Sequence, residues 1–186
     1  SAAMTAPDAS DLGGPADPRT PDRPADLLVT GAELVATMDD ERREIRGGWV
    51  AITDGMVSAL GGPADPQPAA ARILRADGCL VTPGLVNTHH HIYQNLTRSF
   101  APALRGTLFQ WLTTLYPLWS RLDEEAVYTS AYVGLTELAL GGCTTTTDHL
   151  YVHPRGAGDL ISAEIAAART LGLRFHPTRG SMSLSV

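Results

Sequence analysis

The chain has 186 residues, 44% of them hydrophobic, and a formal net charge of −6. That leaves room for one domain and part of a second, with enough apolar side chains for a genuine core. The acidic balance and the lack of a basic stripe exclude a nucleic-acid surface, which needs clustered cations to displace counterions from phosphates.

All 14 cationic side chains are arginine, so the chain supplies no Schiff-base lysine and no carbamylated lysine to bridge two metals. No window approaches the run of about 20 apolar residues that spanning a bilayer needs. The start lacks the basic-then-apolar pattern of a secretory signal. No membrane partner and a cytoplasmic location are therefore expected. The only two cysteines, Cys79 and Cys143, stand in apolar, strand-like contexts and read as reduced core residues.

Residues 1–26 are rich in Pro, Asp, Ala and Gly and read as a disordered arm or cloning remnant. Over 27–82 the sequence changes to short β-type runs: Leu27 to Val29, Glu33 to Met38, Gly48 to Thr53, Met56 to Leu60 and Arg72 to Ala76. Asp54-Gly55 between two of them is a hairpin signal, because glycine tolerates the positive φ of tight turns. This segment is expected to be a small β-module.

Leu80-Val81 and the following Thr82 to Thr88 read as one buried strand ending in His89, His90 and His91. Alternate strand residues share a side, so His89 and His91 project together and His90 faces away. Two such side chains, roughly 6.6 Å apart along the strand, can converge on one ion, since a zinc–nitrogen bond spans about 2.0–2.1 Å. The triplet therefore predicts half of a metal site, with His90 a structural residue.

Beyond it the periodicity is helical. A first helix is predicted within Thr107 to Trp119, with Phe109, Trp111, Leu112, Leu115 and Trp119 as its buried face. A second begins near Asp123, which caps free amides, while Glu124 and Glu125 complement the dipole and Gly141-Gly142 stops it. Val127, Ala131, Leu135 and Leu138 form its inward face. Cys143 to Asp148 is β-branched and extended, a helix runs from near Asp159 to Gly172, and Leu173 to Thr178 is the next strand. Strands alternating with helices imply parallel pairing in an α/β fold. Asp148 and His149 are adjacent in a strand, so at most one of them enters a pocket. Ser181 and Ser183 have no accompanying base, which argues against a serine nucleophile.

The stretch Val81 to His91, with Pro83-Gly84, four residues and then His-X-His, resembles the first barrel strand of the amidohydrolase superfamily. The β-rich segment before it is similar to that superfamily's N-terminal sandwich portion. His89 to Gln94, Leu108 to Leu112 with Tyr116-Pro117, Gly142 to Tyr151 and Phe175 to Ser183 resemble the cytosine deaminase and chlorohydrolase branch. Within that branch they resemble the 8-oxoguanine, isoxanthopterin and hydroxyatrazine aminohydrolases.

The resemblance implies a (β/α)₈ barrel over 83–186 and a β-sandwich portion over 27–82. Such a barrel takes about 250 residues, so only its first three strands or so fit here. It also implies one divalent metal, Zn²⁺ or Fe²⁺, held by His89 and His91, with the remaining ligands and the acid–base residue lying outside this chain. Release of ammonia from an oxidised purine or pteridine is the expected reaction, and the complete protein is expected to be a homo-oligomer.

Gln94, beyond the strand end, can donate to a carbonyl and accept from a ring N–H of the heterocycle. Arg179 offers a fork of donors to the carbonyl edge of an oxopurine, with a solvated ion pair as the alternative. Trp111 can stack on a flat ring or simply pack. His149 is a further substrate or supporting contact. Two other readings stay open: a triazine amino- or chlorohydrolase, and a non-catalytic barrel piece that binds a partner chain through exposed core strands.

Overall fold

The computed structural model describes residues 23–181. The chain divides into two units between Pro83 and Gly84, inside the stretch predicted to be one continuous buried strand. Leu80–Val81 pairs in parallel with Leu34 and Val35, whereas Leu85–Asn87 pairs with the strand starting at Cys143. Pro83 has no N–H to give to a ladder, so the run breaks there. A Cβ at Gly84 would overlap the Thr144 side chain, which makes this a position of close strand approach. The prediction also fails on burial, because Leu85 and Val86 are 60% and 63% exposed.

The first unit comprises β1 (Ala25–Thr30), β2 (Leu34–Ala36), β3 (Glu44–Arg46), β4 (Trp49–Thr53), β5 (Met56–Gly61), β6 (Ala70–Arg75) and β7 (Leu80–Val81). They form a four-stranded sheet in the order β5-β4-β1-β6 and a three-stranded sheet in the order β3-β2-β7. Asp54 and Gly55 both have positive φ at the β4–β5 turn, 52° and 75°, as a two-residue hairpin loop requires. Ala25, Leu28, Trp49 and Ala51 fill one small core, and Ala32, Val35 and Ala76 another.

Three expectations are corrected here. Ala25 and Asp26 belong to β1, so the N-terminal arm cannot extend to residue 26; its residues 1–22 lie outside the described ones. Strand β3 was not predicted, since Ile45 is its only apolar residue and its pairing with β2 carries it. Cys79 is exposed, because it sits in a turn whose amide donates to the Ala76 carbonyl at 2.9 Å, not in a strand. Cys143 is buried as expected.

The second unit is a mixed α/β arrangement of β8 (Leu85–Asn87), α1 (Leu108–Trp119), α2 (Glu124–Leu140), β9 (Cys143–Leu150), α3 (Leu160–Leu171) and β10 (Arg174–Arg179). The strands lie in the order β10-β9-β8, and both pairings are parallel. Each helix begins at a side-chain cap. Thr107 and Gln110 form a capping box at α1, Asp123 accepts from the Ala126 amide at 2.8 Å at α2, and Asp159 accepts from the Ser162 amide at 3.1 Å at α3. Gly172 ends α3 in the left-handed region at φ 72°, a conformation glycine adopts without steric cost.

One core cluster gathers Tyr93, Leu115, Trp119, Val127, Leu150 and Leu160. A second joins Ile92 to Ala131, Leu135, Ala167 and Ala168, where α2 meets α3. Val127, Ala131 and Leu135 are buried as their spacing predicts, but Phe109 is 66% exposed, so the expected buried face of α1 starts at Trp111. Leu135 is fully buried between the two helices. Leu135→Ala should therefore destabilise the protein by about 2–5 kcal/mol, the range for emptying a core leucine site, read as a lower urea midpoint with an unchanged slope.

Candidate functional site

His89, His90 and His91 do not continue β8; they form the turn between its end at Asn87 and a 3-10 helix over Ile92–Thr97. The expected division of the triplet is only partial, since all three histidines line one cavity. The rings of His89 and His91 lie 5.3 Å apart between centroids, edge to face. His90 turns its Nδ1 into the interior, where burial lowers its pKa.

The turn is tied down from several sides. His91 Nδ1 lies 2.7 Å from the backbone oxygen of His149. A carbonyl can only accept, so Nδ1 carries a proton, and in the neutral ring Nε2 then keeps its lone pair. The His149 amide donates to the His90 carbonyl at 3.0 Å, the Ile92 amide donates to Asp148 Oδ1 at 2.7 Å, and Ser130 Oγ donates to the Ile92 carbonyl at 2.7 Å. A ring donating from Nδ1 to a carbonyl and presenting Nε2 is the usual state of a metal-bound histidine, so the residues present fit a divalent ion. Among the described residues no group of three or more His, Cys, Asp or Glu side chains could hold one. Catalytic zinc takes three protein ligands, one more than the two imidazoles of His89 and His91 brought together here.

His89, His90, His91, Gln94, Leu104 and Trp111 are among the residues that line a cavity of about 390 Å³, within the usual size of small-molecule sites. Gln94 is set by its amide, which donates to the His91 carbonyl at 3.0 Å. Trp111 is half-buried, with its ring 5.2 Å from that of Trp119. His149 is outside this cavity but has its ring 5.4 Å from that of His91, and with His89 it lines a neighbouring recess of about 320 Å³. Arg179 is not brought to either; it opens on a third recess with Tyr151, His153 and Ser181. Asp148 is buried and His149 exposed, yet both line the recess shared with His89, so the expectation that at most one of them enters a pocket is corrected. Ser183 lies outside the described residues.

Sequence reasoning missed Glu164, which is fully buried on α3. The signal was an acidic residue on the apolar stripe of that helix, four residues after Leu160 and three before Ala167. Burial, and after it the neighbouring Asp148, push the Glu164 carboxyl up to about 9. Burial also raises Asp148, against the opposing pull of the Ile92 amide.

A carboxyl that stays protonated in the folded state and ionises near its ordinary value in the unfolded one makes stability fall as pH rises through that window. Unfolding free energy should therefore decline from pH 5 to pH 8.5 more steeply in the wild type than in Glu164→Gln. Parallel pH profiles from urea unfolding would contradict a neutral Glu164.

Residues 80–185 match the model of the Amidohydrolase family. The chain is 46% identical over 138 residues to an 8-oxoguanine deaminase of Pseudomonas aeruginosa, covering 74% of this chain and 31% of that protein. It is 34% identical over 169 residues to the hydroxydechloroatrazine ethylaminohydrolase of Pseudomonas sp. strain ADP, covering 84% and 35%. It thus spans about a third of the length of the curated relatives it matches. Its fold is similar, with a TM-score of 0.79 and 30% identity, to the crystal structure of atrazine chlorohydrolase TrzN from Arthrobacter aurescens TC1 complexed with zinc, covering 86% of this chain and 36% of that one. The match over residues 80–185 takes in β8, α1, α2, β9, α3 and β10 together with the histidine turn, and on that basis the chain belongs to the amidohydrolase family.

Proposed function

We propose that this chain supplies two metal ligands and part of the substrate pocket of an aminohydrolase that deaminates an oxidised purine or pteridine such as 8-oxoguanine. The observation that carries the reading is the pair of imidazoles on one turn, with His91 held by the His149 carbonyl so that Nε2 is presented. The 46% identity to an 8-oxoguanine deaminase supports the choice of substrate class. In this reading β8, β9 and β10 are the opening strands of a (β/α)₈ barrel, residues 27–82 are part of a β-sandwich, and the other metal ligands come from outside this chain.

A divalent ion, zinc by analogy with the zinc-complexed neighbour or iron(II), would supply water acidified to a pKa of about 7. The chain's own residues bind and orient the heterocycle. Gln94 reads its polar edge, Trp111 lies against its face, and His149 approaches from the recess that shares His89. Arg179, which opens on a separate recess, keeps its fork of donors for a contact that this cavity does not provide.

Ammonia release by the full-length protein should be fastest from 8-oxoguanine, compared with isoxanthopterin, guanine and hydroxyatrazine. Turnover of none of them would contradict the assignment. A triazine hydrolase is the second reading, supported by the 34% identity to an ethylaminohydrolase and by the TrzN-like fold; preference for hydroxyatrazine in the same assay would select it. His89→Ala and His91→Ala should each abolish metal retention, and elemental analysis showing full occupancy in either variant would remove the ligand roles.

A further inference from the structure

Between β9 and α3 lies a buried acid pair to which the ligands and pocket residues assign no task. Glu164 is 0% exposed and Asp148 1% exposed. With both groups ionised, Asp148 Oδ2 and both Glu164 oxygens would lack any donor. One proton shared between these neighbouring carboxyls would give them a bond to each other and a single charge. The second oxygen of Asp148, Oδ1, accepts from the Ile92 amide at 2.7 Å, one residue after His91. On the opposite side of the same residue, Ser130 Oγ donates to the Ile92 carbonyl.

Resting on the metal reading proposed for this turn, we propose that Glu164 is a positioning residue for His89 and His91: its carboxyl O–H holds Asp148 Oδ2 and thereby fixes Oδ1 on the Ile92 amide. Asp148 has two oxygens and two donors, so each bond restrains the carboxyl for the other. Without the Glu164 donor, Asp148 would keep one buried oxygen unsatisfied, and rotation toward any other donor would release Ile92. The turn would then lose one of its anchors, and the imidazole of His91 would no longer be held in register with that of His89. Groups that orient metal ligands from behind in this way typically cost about 10–100-fold in metal affinity when removed.

The test compares Glu164→Gln, which keeps an N–H donor, with Glu164→Leu, which keeps the bulk and the burial but donates nothing. Hydrogen exchange of the Ile92 amide is measured in the metal-free full-length protein, and zinc affinity by chelator competition. Glu164→Leu should speed Ile92 exchange and weaken zinc binding, each by on the order of tenfold, while Glu164→Gln stays within about threefold of the wild type in both.

Wild-type protection of Ile92 in Glu164→Leu would overturn the proposal, since a role in packing alone predicts that result. So would loss in Glu164→Gln as large as in Glu164→Leu. Should Glu164→Leu fail to fold, Asp148→Asn and Asp148→Ala give the same comparison one link closer: Asn retains the acceptor and should protect Ile92, and full protection in Ala would overturn the clamp. A wild-type protein without zinc affinity would remove the metal reading, while the exchange arm, read without metal, would still decide the role of Glu164.

Discussion

The turn carrying His89 and His91 is held by bonds to its backbone, because the ladder of β8 ends at Asn87. An irregular segment keeps two side chains on a common target only if its conformational freedom is removed by other means, at roughly 1–2 kcal/mol per residue of lost entropy. Here the Ile92 N–H and C=O are both taken up, by Asp148 and Ser130, and the His91 ring is tied to the His149 carbonyl. Every one of these partners is on β9 or α2. The histidine turn is therefore as ordered as the packing of those two elements.

That packing explains features with no direct chemistry of their own. A Cβ at Gly134 on α2 would run into the Asn95 side chain, so glycine there lets the 3-10 helix following the histidines lie close against α2. Trp119 Nε1 donates to Thr97 Oγ1 at 3.1 Å, and Arg98 bonds both oxygens of Glu137 at 2.8 Å, which fixes the far end of the same short helix. Glu124 Oε1 accepts from the Asp159 amide at 2.7 Å, linking the start of α2 to the start of α3. Caps, glycine contacts and the aromatic cluster thus converge on placing one six-residue helix and the turn before it.

Much of this was legible in the sequence where local chemistry decides the outcome. Thr107, Asp123 and Asp159 are short acceptors standing just before apolar periodicity, and all three helices begin one residue later. The strand that was to alternate the histidines ends at Asn87, and although the rings of His89 and His91 lie close together, His90 lines the same cavity.

What was not legible depended on partners distant in sequence. Leu80-Val81 and Leu85-Val86 are alike in composition, and only their pairing with β2 and β9 separates them. Cys79 and Phe109 are apolar by type yet exposed, since nothing within the described residues covers them. The Asp148–Glu164 pair needed the β9–α3 contact to be seen, although a glutamate on an apolar helical stripe was a visible anomaly.

The central claim is that His89 and His91 share one ion. Anomalous diffraction at the zinc edge on crystals of the zinc-loaded full-length protein tests it most directly. The account predicts a single peak about 2.0–2.1 Å from His91 Nε2 and at the same distance from a ring nitrogen of His89. A peak elsewhere, or rings directed apart with no density touching both, would contradict it.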